Sequence, residues 1–318
     1  MKKILLFRND RLGEFLLIIP ALRALKETFK CWLTVVVNPY LQELAHCVPE
    51  IDEVFIWEMR KHKLKDIFAF SHLLGQKNFN TAIIMNPTKE AHLISFLARI
   101  PARVGYNRKW GFLLNKKIPD RKDLGLKHEV EYNLELVSLI GAKTEDKSLK
   151  INVPPDKLRE AKEMLHSQGI YDSYIVIHPF TSYPPKQWPL ERFLEVIKDT
   201  SIKINIVVIG GKENIFYQEQ FKNLSRQKQV AVLIGKTDLL QLAGILSGAK
   251  CLISNDSGPV HLASAMGTRC IVLFDNSVPS RSPSRWRPWG EGHIVIQKPD
   301  IRQITVEEVH TALKSFLE

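Results

Sequence analysis

The side chains best suited to chemistry in this chain stand where an apolar run gives way to a turn. In Arg8-Asn9-Asp10-Arg11-Leu12-Gly13-Glu14, Glu14 opens a helix-like stretch just after the first apolar run. A carboxylate there either favours the positive end of the helix, by about 0.3–1 kcal/mol, or acts as general base toward an acceptor hydroxyl. Asp10 is the second carboxylate of that turn. Further along, His178-Pro179-Phe180-Thr181-Ser182-Tyr183-Pro184-Pro185-Lys186-Gln187-Trp188-Pro189 gathers two hydroxyls, an ammonium and an indole. Thr181, Ser182 and Lys186 suit phosphate oxygens, Lys186 as a movable point charge. Trp188 reads equally well as a core anchor beside Phe193.

Two more turns have the same character. Gly210-Gly211-Lys212-Glu213 offers glycines that let a ligand near the backbone. Glu213 there is either a ribose-binding acid or an exposed turn residue. The most organised stretch is Ile253-Ser254-Asn255-Asp256-Ser257-Gly258-Pro259-Val260-His261-Leu262-Ala263-Ser264-Ala265-Met266-Gly267-Thr268. It reads as strand, tight turn, helix, glycine stop. Asp256 or Ser257 is placed to cap the helix, Pro259 suits its first turn, and Gly267 ends it. Gly258 admits close approach, and unpaired amides at such a helix start form a phosphate site. His261, one turn in, is either a packed histidine or a donor to a phosphate.

These turns need strands and helices to hold them, and the apolar patterning supplies both. Strands are expected at Ile4–Phe7, Leu33–Val37, Val54–Trp57, Ala82–Met85 and around Arg103–Tyr106. Helices are expected over Glu14–Phe29, with Pro20 causing a kink or early break, and over 40–47, 64–74, 91–97 and 130–140. Asn107 to Lys127 reads as a basic, irregular segment. The polar stretch Lys143–Pro155 is the expected interdomain linker. Beyond it the alternation restarts, with strands at 174–178, 204–209, 230–234, 249–253 and 270–274. Helices are expected at 156–168, 190–200, 212–228, 239–247 and 306–317, with a long loop over 276–292. Alternating strands and helices predict an α/β protein built on parallel sheets covered on both faces. The expected organisation is two such domains, 1–153 and 154–318, facing each other across a cleft, with the last helix free to pack back on the first.

The composition, 45% hydrophobic and 25% charged, is that of a globular chain. A formal charge of +11 favours an anionic partner. No aromatic-interleaved basic ribbon points to nucleic acid. The patches Arg60, Lys61, Lys63, Lys65 and 107–127 are either solvated faces or contacts to an anionic acceptor. Arg8, Asp10, Arg11 and Glu14 interrupt the opening apolar run too early for a secretory signal. No apolar stretch reaches the roughly 18 residues of a membrane span, so a cytoplasmic protein is expected. Cys31, Cys47, Cys251 and Cys270 are scattered and read as buried thiols. There is no HExxH, clustered Cys/His set, DxD, GxGxxG after the first strand, GxxxxGK[ST] or GxSxG.

Together these segments resemble glycosyltransferase family 9, the lipopolysaccharide heptosyltransferases, through most of the chain. Ser254 to Ala263 carries the resemblance most specifically, supported by Arg8 to Pro20 with Ala21-Leu22-Arg23-Ala24-Leu25 and by His178-Pro179 through Pro189. The resemblance implies a GT-B fold of two Rossmann-like domains, an acceptor domain first and a nucleotide-sugar domain second. It implies inverting transfer of heptose from ADP-L-glycero-D-manno-heptose to the Kdo/heptose inner core on lipid A. No metal or other cofactor is expected, and the site is the cytoplasmic face of the inner membrane, in peripheral contact. By position it implies Glu14 as base, with Asp10 in reserve. Thr181, Ser182 and Lys186 would hold the diphosphate, Asp256, Ser257, Gly258 and His261 would line the donor site, and Gly211 and Glu213 would meet the ribose. Many family members have Asp where this chain has Glu14. Competing readings are a transferase or epimerase for another nucleotide sugar and a non-catalytic nucleotide binder.

Overall fold

A computed structural model describes residues 1–200, 203–225 and 229–317. The chain divides into two compact units, Met1–Asn152 and Val153–Glu318.

The first unit begins with β1 (Lys3–Phe7), α1 (Leu12–Leu16), α2 (Ile19–Phe29), β2 (Trp32–Val37), α3 (Gln42–His46) and β3 (Glu53–Ile56). It continues with α4 (Leu64–Gln76), β4 (Thr81–Ile84), α5 (Lys89–Leu97), β5 (Ala102–Tyr106), β6 (Lys116–Ile118) and α6 (Glu129–Ser138). Its six strands run in the order β3-β2-β1-β4-β5-β6, every pairing parallel. β1 and β4 are the central pair, almost wholly buried, which is why Ile4-Leu5-Leu6-Phe7 is apolar without alternation. Leu5, Phe7, Val36, Ala82 and Ile84 of this sheet share a core with Ile67, Phe70 and Leu74 of α4 and Ala91 and Ile94 of α5.

Of the two outcomes expected at Pro20 the structure has the early break, and one other expectation changes. The helical stretch 14–29 is two helices, with Pro20 in the first turn of α2. An N–H missing from a first turn leaves no ladder bond unmade, so the chain breaks ahead of the proline instead of bending around it. The segment 107–127 is not wholly irregular either. Lys116–Ile118 forms β6, paired with β5, between two short 3-10 turns at Gly111–Leu113 and Lys122–Leu124.

The second unit contains α7 (Pro155–Ser167), β7 (Tyr174–His178), α8 (Leu190–Thr200), β8 (Asn205–Val208), α9 (Gln218–Ser225), β9 (Val230–Val232) and α10 (Leu239–Ser247). β10 (Leu252–Asn255), α11 (Gly258–Ala265), β11 (Cys270–Asp275), α12 (Pro283–Trp286), β12 (Ile294–Lys298) and α13 (Val306–Leu317) follow. The sheet order is β12-β11-β10-β7-β8-β9, again all parallel. Counted from its own first strand, this repeats the order of the first unit. Lys212–Tyr217, expected as α-helix, is a 3-10 segment leading into α9, and the expected end of that helix at Lys228 lies outside the described residues. β12 was not anticipated, and the 276–292 loop includes the short helix α12. The last helix belongs to this unit: Val309, Leu313 and Phe316 join the core of Ile175, Ile177, Phe193 and Leu273. All four cysteines are buried and unpaired with one another. Among the described residues, no helix is long and apolar enough to cross a membrane.

Candidate active site

In a parallel sheet, ligands meet the carboxyl ends of the two strands where the winding order reverses. Those strands are β1 and β4 in the first unit, and β7 and β10 in the second. The sequence-nominated turns after β1, β7 and β10 therefore leave the sheets at their switch points.

After β1 the backbone turns around a buried arginine. Arg8, 2% exposed, donates from Nη1 to the Met85 carbonyl beyond β4 (3.0 Å) and from Nε to the Glu14 carbonyl (3.0 Å). Its Nη2 meets Glu129 Oε1 at 3.2 Å, and its Nε lies 3.3 Å from Asp10 Oδ1. Lys122 adds a second cation to Glu129 at 2.6 Å. Asn9 donates to the Trp57 carbonyl at 3.0 Å and accepts from Asn86 at 3.3 Å. One guanidinium thus ties β1, β4 and the start of α1 to α6.

Glu14 and Asp10 sit on this frame. Burial raises the Glu14 pKa above its ordinary value; Asp10 raises it further, and Arg8 acts against both. Asp10 is also raised, by burial, with Arg8 again opposing. The Tyr40 hydroxyl donates to the Asp10 carbonyl at 3.3 Å, and burial with the Glu14 and Asp10 charges pushes its pKa up to about 12. The sequence alone assigns no site role to Arg8, Tyr40 or Glu129. An arginine at the end of an apolar strand was the one signal that pointed to any of them.

In the second unit the β7 and β10 turns meet directly. Lys186 Nζ pairs with Asp256 Oδ2, joining motifs 70 residues apart in sequence. Burial raises the Asp256 pKa, and the Lys186 ammonium pulls it back. His178 Nδ1 lies 3.0 Å from Ser254 Oγ and 3.2 Å from Ser257 Oγ, and the two hydroxyls are 2.9 Å apart. Burial lowers the His178 pKa to about 4, so the ring is neutral at pH 7. Asn255 locks the turn by accepting from Trp188 N and donating to the Pro179 carbonyl, both at 2.9 Å.

This arrangement corrects the capping expectation. Ser257 occupies the N-cap of α11 but makes no side-chain cap bond, because its hydroxyl is turned to His178 and Ser254. Asp256 is held by Lys186. Neither side chain covers the start of α11; Pro259 has no N–H and Val260 N donates to the Ser257 carbonyl at 3.2 Å, which leaves the Gly258 amide at the positive end of the helix dipole. Pro259 falls in the first turn, and Gly267, with φ +75, follows the last.

The remaining nominated residues are placed less centrally. Thr181 and Ser182 lie on the same loop as Lys186, Thr181 half-buried and accepting from Tyr183 N at 3.3 Å, Ser182 exposed. Glu213 is exposed after β8, the strand beside β7, and its carboxylate folds against Gly211, where a Cβ would strike it. His261 is 3% exposed and meets the Trp286 ring edge-on at 6.3 Å, so packing holds it. Trp188, left open between two roles, is a core residue: fully buried, perpendicular to Phe193, and bonded from Nε1 to the Ile304 carbonyl at 2.9 Å. The 276–292 loop brings Arg281 over the Tyr183 ring at 4.2 Å, a cation missed in the sequence. Among the described residues, no group of three or more His, Cys, Asp or Glu is arranged to hold a metal ion.

Residues 67–314 match the model of glycosyltransferase family 9 (heptosyltransferase). The chain belongs to that family. As the resemblance implied, it is a glycosyltransferase, and its α/β architecture is that of solved relatives. It is 24% identical over 315 residues to lipopolysaccharide heptosyltransferase 3 of Escherichia coli, covering 96% of this chain and 92% of that one. It superposes on the family 9 glycosyl transferase of Veillonella parvula with a TM-score of 0.87 at 22% identity, covering 99% and 97% of the two chains. With the E. coli ADP-heptose LPS heptosyltransferase II the TM-score is 0.84 at 18% identity, covering 100% and 98%.

Proposed function

We propose that this glycosyltransferase moves a heptose from ADP-L-glycero-D-manno-heptose to the inner core of lipopolysaccharide, a Kdo or heptose residue on lipid A, with inversion. The second unit would take the nucleotide sugar and the first unit the acceptor. The observation that carries the reading is the joining of Lys186 and Asp256 beside the Gly258 amide, at the uncapped start of α11 and the β7/β10 switch point. That is a ready anion site with a mobile cation, suited to a diphosphate. The relatives named for lipopolysaccharide and ADP-heptose narrow the donor and the acceptor.

The step is a single in-line displacement. Glu14 takes the proton of an acceptor hydroxyl, whose oxygen bonds to the anomeric carbon as that carbon's bond to ADP breaks. Negative charge collects on the departing diphosphate, where Lys186 exchanges Asp256 for phosphate oxygens. The Gly258 amide at the start of α11 and the Thr181 and Ser182 hydroxyls supply further donors. A leaving group stabilised by protein donors requires no metal. Ser257 and Gly258 border the phosphates, Gly211 and Glu213 the ribose, and buried His261 supports α11 from below. The acceptor's lipid places the protein in peripheral contact with the cytoplasmic face of the inner membrane.

The test is product analysis with purified protein, ADP-heptose and defined truncated lipopolysaccharides, with UDP- and GDP-sugars in parallel and with chelator added. Heptosylated product formed from the ADP sugar alone, at a rate unchanged by EDTA, is expected. Transfer from another nucleotide sugar, or donor binding without transfer, would overturn the reading.

A further inference from the structure

The first unit carries an apolar and basic face that its own fold leaves uncovered. α4 packs Ile67, Phe70, Ser71 and Leu74 inward, and a helix over a sheet is expected to be polar on the other side. Instead Leu64, Phe68 and Leu73 point outward, 68%, 56% and 41% exposed, with Met59 exposed just ahead of the helix. α5 packs beside α4, and the Gly111–Leu113 turn packs beside α5. Each of these adds an exposed aromatic, Phe96 and Phe112. The layer of α2 and α6 presents no large exposed apolar side chain among its described residues.

Charge decides what such a face would meet. Residues 58–112 hold ten Lys and Arg against three Asp and Glu, most of the chain's formal excess of +11. All three of those acids are engaged locally: Glu58 pairs with Arg60 at 2.6 Å, Glu90 accepts from Trp57 Nε1 and His62 N, and Asp66 accepts from Lys63 N at the start of α4. Arg60, Lys61, Lys63 and Lys65 are all exposed and alternate with Met59 and Leu64. The segment is braced: the Trp57 ring lies between His62, at 3.9 Å, and Phe70, at 4.6 Å. Arg60 is already paired with Glu58, but an apolar protein partner would leave Lys61, Lys63 and Lys65 unmatched. A bilayer with anionic headgroups matches both parts, apolar side chains entering the acyl boundary and ammonium groups staying at phosphate level.

We propose that residues 59–73, with Phe96 and Phe112 alongside, form the face by which this chain docks on an acidic phospholipid surface. The proposal rests on the membrane-borne acceptor only for its purpose; the surface itself is independent of the sugar transferred. The test is sedimentation of the full chain with vesicles of phosphatidylethanolamine and phosphatidylglycerol, against vesicles of phosphatidylcholine alone. A Leu64→Glu, Phe68→Glu double variant and a Leu73→Ser variant are run beside wild type. ADP affinity reports folding, and transfer to a delipidated core oligosaccharide reports activity.

Binding to the anionic vesicles, weakened at least tenfold by the double variant and by 0.5 M salt while ADP affinity holds, is expected. Equal binding to neutral vesicles, unaltered binding of both variants, or concentration-dependent self-association abolished by Leu64→Glu, Phe68→Glu would overturn it. Vesicle binding without transfer to the soluble acceptor would count against the functional reading and not the face. Transfer without vesicle binding would do the reverse.

Discussion

Burial and the neighbouring Asp10 raise the Glu14 pKa above its ordinary value. A base works best when its conjugate acid lies nearer the working pH, so this environment suits proton abstraction. The ionised form is the active one, so kcat/KM should fall as pH drops through the raised pKa. Asp10→Asn removes one of the two raising influences, and the acid limb of the profile should move to lower pH; an unmoved limb would separate Asp10 from Glu14. His178 makes the opposite kind of prediction. Its folded pKa, about 4, lies below the ordinary 6.5, so the unfolded chain gains the proton first as pH falls. Stability should be lost between pH 6.5 and 4, by up to about 3 kcal/mol. Urea midpoints across that range check this, and His178→Asn should flatten the dependence. Glu14, Lys186 and Asp256 were nominated from their turns alone. The groups that brace their turns, Arg8 with Glu129 and His178 with Ser254 and Ser257, act through tertiary contacts that local spacing does not encode.

At the scale of elements, the turns after β7 and β8 depend on what stands behind them. Phe180 fills the space beside Gly210, where a Cβ would lie 2.7 Å from its Cε2. Gly210→Ala should therefore cost about 1–3 kcal/mol by overpacking, read as a lower urea midpoint, with weaker ADP binding as the Phe180 loop shifts. The central strands were legible because both their faces are buried and their runs are wholly apolar. β6 and β12 were missed for the converse reason. They are edge strands, exposed or half-buried along most of their length, and Lys116-Lys117 gives an edge the charge that discourages pairing with another chain. The break between α1 and α2 was visible in Pro20, but its position one turn early depended on where the proline's missing N–H does least harm.

Over the whole molecule, the same six-strand order occurs twice, each with its own core. That repetition was visible in the sequence only as βα alternation, because strand order is set by which runs pair and not by their composition. If the nucleotide belongs to the second unit, a ligand binding the native state there should slow amide exchange locally. Saturating ADP should protect amides at 178–187 and 256–261 and leave those at 8–14 unchanged. Protection spread evenly over both stretches would place the nucleotide differently.

The most direct measurement is single-turnover transfer from ADP-heptose by Glu14→Gln and Asp10→Asn, with ADP affinity determined on the same samples. The proposed roles predict a loss on the order of 100- to 10,000-fold for Glu14→Gln, as removal of a general base brings, with ADP affinity near wild type. Glu14→Gln turning over at the wild-type rate would contradict them.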